Sequence, residues 1–230
     1  MNEEDRKIIT DLDQLSRRAE EINPEDEKER VKSVILDMKN VLRHNELRGL
    51  SAPQIGENIR IVLIKFKNDI KAYVDPQVLA VKGLAPVIET DPSLPGKEYL
   101  LPRYFHLDMR ALTANGIIEN FFLEGQAAYV MQQQMDHLEG ILISDYGLEI
   151  TKDFYDMSEN DKEELIRQYM YSLKDAEVVI NEQVEQDDTL KEIRDGMKFI
   201  ESVKKGETKI EVTTEEVDPS EVEDEEKEDE

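Results

Sequence analysis

Apolar residues recur along this chain at two different spacings, and each spacing predicts a different element. Between residues 25 and 44, Val31, Val34, Ile35, Met38, Val41 and Leu42 fall three and four apart. That spacing predicts an amphipathic helix with one buried stripe. Ala127, Ala128, Met131, Met135 and Leu138 repeat it, predicting a helix over 124–138 closed by Gly140. Ile8, Ile9, Leu12 and Leu15 predict a short helix within 3–20, broken at Asn23-Pro24. Between these lie stretches rich in β-branched and apolar residues, which predict strands at 60–66, 72–79 and 105–114. Asn115-Gly116 predicts a tight hairpin turn leading into a partner strand at 117–123. Pro86 to Pro102 holds four prolines and predicts irregular or edge-like structure. Helices, then antiparallel strands, then an inner helix make an α+β domain.

Beyond Tyr146 the helical spacing returns. Ser158 followed by Asp161 marks a helix start for residues 159–175. Leu190, Ile193, Met197 and Ile200 predict a further helix at 187–203, whose stripe must cover the chain's own domain, a partner or a second copy.

Composition narrows the function classes. The net charge of -25 over 230 residues argues against nucleic acid and anionic membrane surfaces as direct partners. The excess is uneven: residues 207–230 hold thirteen acidic residues and two lysines, the pattern of a solvated, disordered acidic tail. There is no cysteine, so thiolate ligands and disulfides are absent. Met1 to Arg6 is charged rather than apolar and reads as no secretory signal, and no apolar run reaches the length of a membrane span, so a cytoplasmic protein is the expectation.

Three segments carry more specific information: Gly49-Leu50-Ser51-Ala52-Pro53-Gln54-Ile55-Gly56, Glu89-Thr90-Asp91-Pro92-Ser93-Leu94-Pro95-Gly96, and Gln132-Gln133-Gln134-Met135-Asp136-His137-Leu138-Glu139-Gly140. In this order, with the Asn115-Gly116 hairpin between the second and third, they resemble the peptide deformylase family over residues 8–150. That family uses a glycine-rich loop ending in Gln, a Glu-Gly-Cys-Leu-Ser segment, and a helix bearing His-Glu-x-x-His. Pro102-Arg103-Tyr104, Glu124-Gly125 and Asp145-Tyr146 also suit the resemblance. It implies a peptide-deformylase-like domain over 1–150, followed by a helical extension at 151–206 and the acidic tail at 207–230.

The resemblance also implies a chemistry that the residues here do not supply. Removing a formyl group from an N-terminal methionine needs water activated by a metal with three protein ligands and an open position. It also needs a carboxylate to move the proton and donors to hold the oxyanion. The cysteine-ligand position holds Asp91, the first histidine position Gln133, and the second His137. The base position holds Gln134, which cannot exchange a proton near neutral pH; loss of such a base removes on the order of 10²–10⁴-fold in rate. Gln54 retains the oxyanion-binding glutamine, but Pro92 has no N–H where the family uses a backbone donor.

Asp91, Gln133 and His137 are therefore degenerate ligand positions, and no resident metal is expected; a weakly bound zinc or iron ion is the alternative. His137 is either a remnant ligand or an interior histidine facing Asp91 or Gln54. Gln54 either donates to a bound carbonyl or braces its loop. Met131 and Met135 read as core, and His44 and His106 carry no assigned role. The expectation is a deformylase-like pseudoenzyme that binds an unidentified protein partner. Contact would come through residues 187–203 or through the remnant peptide cleft at Gly49 and Leu50, where an extended peptide could add as a strand. The alternative is a divergent active deformylase in which Glu89 replaces the base.

Overall fold

A computed structural model describes residues 7–67 and 69–175. The predicted helix at 187–203 and the acidic tail lie outside the described residues. The helices are α1 (Leu12–Leu15), α2 (Lys28–His44), α3 (Gln126–Glu139), α4 (Ile143–Tyr146), α5 (Lys152–Asp156) and α6 (Glu159–Asp175). The strands are β1 (Gly49–Ser51), β2 (Ile61–Phe66), β3 (Asp69–Thr90), β4 (Glu98–Leu112), β5 (Ile118–Glu124) and β6 (Leu148–Ile150). They form one antiparallel sheet in the order β1-β2-β3-β4-β5, with β6 pairing the start of β4.

The sheet is buried on both faces at β2, and period-two alternation sorts its side chains. Ile61 and Leu63 join the α2 stripe, where Val31, Val34, Ile35, Met38, Val41 and Leu42 are all buried. Val62 and Ile64 face the other way, into a core with Leu107, Met109, Leu123, Ala128, Met131 and Leu138. Met135 packs at the edge of this second core. Helix α3 ends on Gly140 at φ 72, as its sequence predicts. Helices α5 and α6 sit over β4 and β6, where Phe154, Leu165, Ile166 and Tyr169 cover Leu100 and Ile150.

One sequence expectation needs correction and another is resolved. Among the described residues of the segment 3–20, only Leu12–Leu15 is helical, started by the Asp11 side chain accepting from the Gln14 N–H at 3.2 Å. The flanking backbone instead bonds to other elements: Ile9 N–H to Gln54 at 2.9 Å, and Ala19 N–H to Leu138 at 2.8 Å. Those tertiary hydrogen bonds replace the helical ones. Of the two forms expected for the proline-rich stretch, irregular and edge-like, it takes the edge-like one. Strand β3 runs on past Pro76 through Thr90, β4 begins at Glu98, and Pro86 stands opposite Pro102. Among the described residues, both prolines lie where their strand lacks a second neighbour, because β2 meets β3 only over 69–74 and β4 is flanked only over 98–100 and 106–112. Missing N–H groups are tolerated at such edges. The register breaks near Asp75, which has φ 46 and is clamped by Arg60 at 2.7 Å.

Candidate functional site

The three motif segments converge at one end of α3. Strand β1 brings Ser51 and, through a turn of 3-10 helix at Ala52–Ile55, Gln54. The irregular link between β3 and β4 brings Asp91 and Ser93, and α3 brings Gln133, Gln134 and His137. All seven side chains belong to buried residues, Gln133 being the most exposed at 8%.

Their hydrogen bonds account for most of the polar atoms. His137 Nε2 and Asp91 Oδ2 are 2.8 Å apart. Asp91 Oδ1 accepts from the Ser93 N–H at 2.8 Å and from Gln54 Nε2 at 3.2 Å. Gln54 Nε2 also lies 3.2 Å from Ser93 Oγ, while Gln54 Oε1 accepts from the Ser51 N–H at 3.1 Å. Gln54 thus braces its own loop and ties it to the Asp91 loop. The Ser51-x-x-Gln54 spacing is a capping box, a signal legible in the sequence that was not used to place Ser51.

On α3 the two glutamines engage each other. Gln133 Nε2 donates to the Thr90 carbonyl at 2.9 Å, and Gln134 Nε2 donates to Gln133 Oε1 at 3.2 Å. Gln134 Oε1 and His137 Nδ1 have no partner among the described residues. The helix approaches β1 closely enough that Gly49 is required: a Cβ there would lie 2.4 Å from Val130 Cγ1. Leu50 is wholly buried in the α2-side core, so its side chain is unavailable to a peptide and only its backbone could take part.

Beside this layer lies a charged cluster of which only Glu89 carries a role expected from the sequence. Arg103 donates twice to Glu89, at 2.8 Å each, and its Nη1 donates to Asp136 at 2.7 Å and to the Tyr146 hydroxyl at 2.8 Å. Burial works against the Arg103 charge, but Asp136 and Glu89 outweigh it and hold the guanidinium protonated. Burial, with Asp136 adding, pushes the Tyr146 hydroxyl well above its ordinary value. Gln132 pins the same helix to β4 by accepting from the Tyr104 N–H at 2.9 Å and donating to the Tyr104 carbonyl at 2.8 Å. Glu89 is not placed as a substitute base: both its oxygens are engaged by Arg103, and its side chain is 9% exposed.

The donor set does not fit a tightly held catalytic metal. One carboxylate and one imidazole face each other directly, and Gln133, at the third position that the resemblance implies, offers an amide oxygen that already accepts from Gln134. Among the described residues no three His, Cys, Asp or Glu side chains cluster as ligands. Nor is any described helix long and apolar enough to cross a membrane.

The comparisons with known proteins match the fold. Two peptide deformylases show the level of sequence similarity. That of Dictyoglomus turgidum is 33% identical over 121 residues, covering 53% of this chain and 79% of the relative. Peptide deformylase 1 of Clostridium perfringens is 30% identical over 126 residues, covering 54% and 86%. Among solved structures, the peptide deformylase of Thermotoga maritima superposes with a TM-score of 0.56 at 28% identity, covering 60% of this chain and 93% of that one. A class I type b enzyme from Acinetobacter baumannii, solved with Met-Ala-Ser bound, shares the fold at 19% identity and a TM-score of 0.57. The polypeptide deformylase profile matches residues 6–153. With its three motif segments meeting at one end of α3 and its profile match spanning more than half its length, the chain belongs to the polypeptide deformylase family.

Proposed function

We propose that this chain is a deformylase-fold protein that does not remove N-formyl groups and serves instead as a binding, scaffolding or assembly component. The observation that supports this most directly is the 2.8 Å contact between Asp91 and His137, two ligand positions that satisfy each other. Gln134 at the base position and Pro92 at the donor position support it independently. A glutamate in place of Gln134 would leave a buried charge beside a site without a metal, whereas the amide keeps hydrogen bonding without that cost. The partner would be a protein reached through residues 187–203 or through the backbone edge at Gly49 and Leu50. Capture compared between the full chain and one cut after residue 175 separates the two.

The test is metal analysis of the purified chain together with a formyl-Met-peptide assay beside an ordinary deformylase. We expect no stoichiometric metal and turnover lower by more than about 10⁴-fold, since base and oxyanion donor are both lost. Stoichiometric metal with turnover near that of the reference enzyme refutes the proposal. A second reading, an active divergent deformylase, is favoured by the names of the curated relatives at about one-third identity. The same assay decides between the two.

A further inference from the structure

Strand β5 ends the sheet, and its outer edge is unpaired among the described residues. Its hydrogen-bonding phase follows from two bonds: Thr113 N–H to Ile117 O and Gly125 N–H to Phe105 O, each 2.8 Å. Those pairs share the register of Ala111↔Glu119, Met109↔Phe121 and Leu107↔Leu123. Antiparallel ladders alternate, so the intervening residues Ile118, Asn120, Phe122 and Glu124 turn their N–H and C=O groups outward. All four are exposed. Ile118 is 63% exposed and Phe122 64%, on the sheet face away from α3, with Phe122 stacked on His106 at 5.8 Å. Edge strands are ordinarily blunted by proline, lysine or a bulge, and β5 has none of these.

We propose that β5 is a strand-addition site for an extended basic segment of a partner protein, paired antiparallel to Ile118–Glu124. Charge complementarity selects the occupant. Strand β5 exposes Glu119 and Glu124, the latter 3.0 Å from His106 Nδ1 with its carboxylate still half exposed, holds no Lys or Arg, and belongs to a chain of net charge -25. A second copy would bring two such charges together, whereas a basic segment neutralises them. The pairing also dictates a pattern: a basic residue opposite Glu124, an apolar one opposite Phe122, a basic one opposite Glu119 and an apolar one opposite Ile118. Backbone bonds hold the segment, and these side chains select it. The site lies outside the Asp91–His137 cluster, so it stands whether or not that cluster hydrolyses anything.

The probe is a capped synthetic heptapeptide with lysine at its first and sixth positions, valine at its third and seventh, and threonine elsewhere, titrated against the full chain by fluorescence anisotropy. Saturable binding that weakens with added salt is expected. Asn120→Pro, which removes an outward N–H, and N-methylation of the peptide on the paired edge should each weaken it about tenfold. N-methylation on the opposite edge should leave it unchanged. The double variant Glu119→Lys/Glu124→Lys should lose the lysine peptide and take up one with glutamate at the same two positions. Absence of saturable binding, or binding indifferent to which edge is methylated, overturns the proposal. So does a dimer of the chain that Asn120→Pro dissociates, because the edge is then taken by a second copy.

Discussion

Asp91 and His137 illustrate how a single pair ties a loop to a helix. Each is almost entirely buried, so neither can turn to water when its partner is removed. His137→Ala should cost about 1–3 kcal/mol, because it leaves the buried Asp91 Oδ2 without its hydrogen-bond partner. The double variant with Asp91→Ala should cost less than the sum of the two single changes, because neither polar partner is then left buried alone; urea unfolding midpoints measure both. Arg103→Met should be at least as damaging, since it strands Glu89 and Asp136 together. Tyr73 gives a pH-dependent counterpart. Burial, with Glu119 and Asp69 adding, pushes its hydroxyl up to about 12 from the ordinary 10. The unfolded chain ionises first, so the native state loses stability as pH rises from about 10 towards 12, having the full contribution below that window. Tyr73→Phe should remove part of the alkaline fall in denaturant midpoint measured between about pH 9 and pH 11.

At the scale of elements, what mattered was which face of each segment meets which neighbour. The α2 stripe was fully legible because a helix buried on one side writes its burial into a three-and-four spacing. Helix α3 was legible only in its apolar half. Its buried set also includes Gln133, Gln134 and His137, polar residues that no hydropathy pattern separates from solvated ones. The strands through Pro86 and Pro102 were left open between irregular and edge-like because proline's cost depends on whether a neighbour needs its N–H, and that is a property of the sheet. The α3–β1 approach offers a test of packing. Gly49→Ala should destabilise by about 1–3 kcal/mol, measured by thermal or urea unfolding, because its Cβ meets Val130 and the Leu63 carbonyl. Adding Val130→Ala should recover part of that loss.

For the whole molecule, the link that joins the motif loops to α3 is an interaction between protein groups. The melting temperature should therefore be unchanged by a chelator and by added zinc. A metal that bound only the native state would raise it by mass action. A chelator-induced fall in melting temperature would place an ion in the native fold and favour the active-deformylase reading. The first part of the extension is joined to the same structure, since Phe154 and Tyr169 cover Leu100 and Leu148. Truncation at 150 should destabilise the domain by uncovering them, where truncation after 175 leaves that cover in place; unfolding midpoints of the two truncated chains check this.

What the sequence determined by itself was the fold class and the helices α2, α3 and α6; the assignment of ligand and base positions is what the family resemblance implies. Fold class and helices depend on periodicity and residue identity, which are local. Only the tertiary structure decided that Asp91 meets His137, that Gln54 bridges two loops, that Glu89 is held by Arg103 rather than free, and that Leu50 is core. It alone shows that, among the described residues, β5 has an open edge. Such facts depend on which distant groups share a buried volume and which backbone groups find partners there, and neither is written in the spacing of residues along the chain.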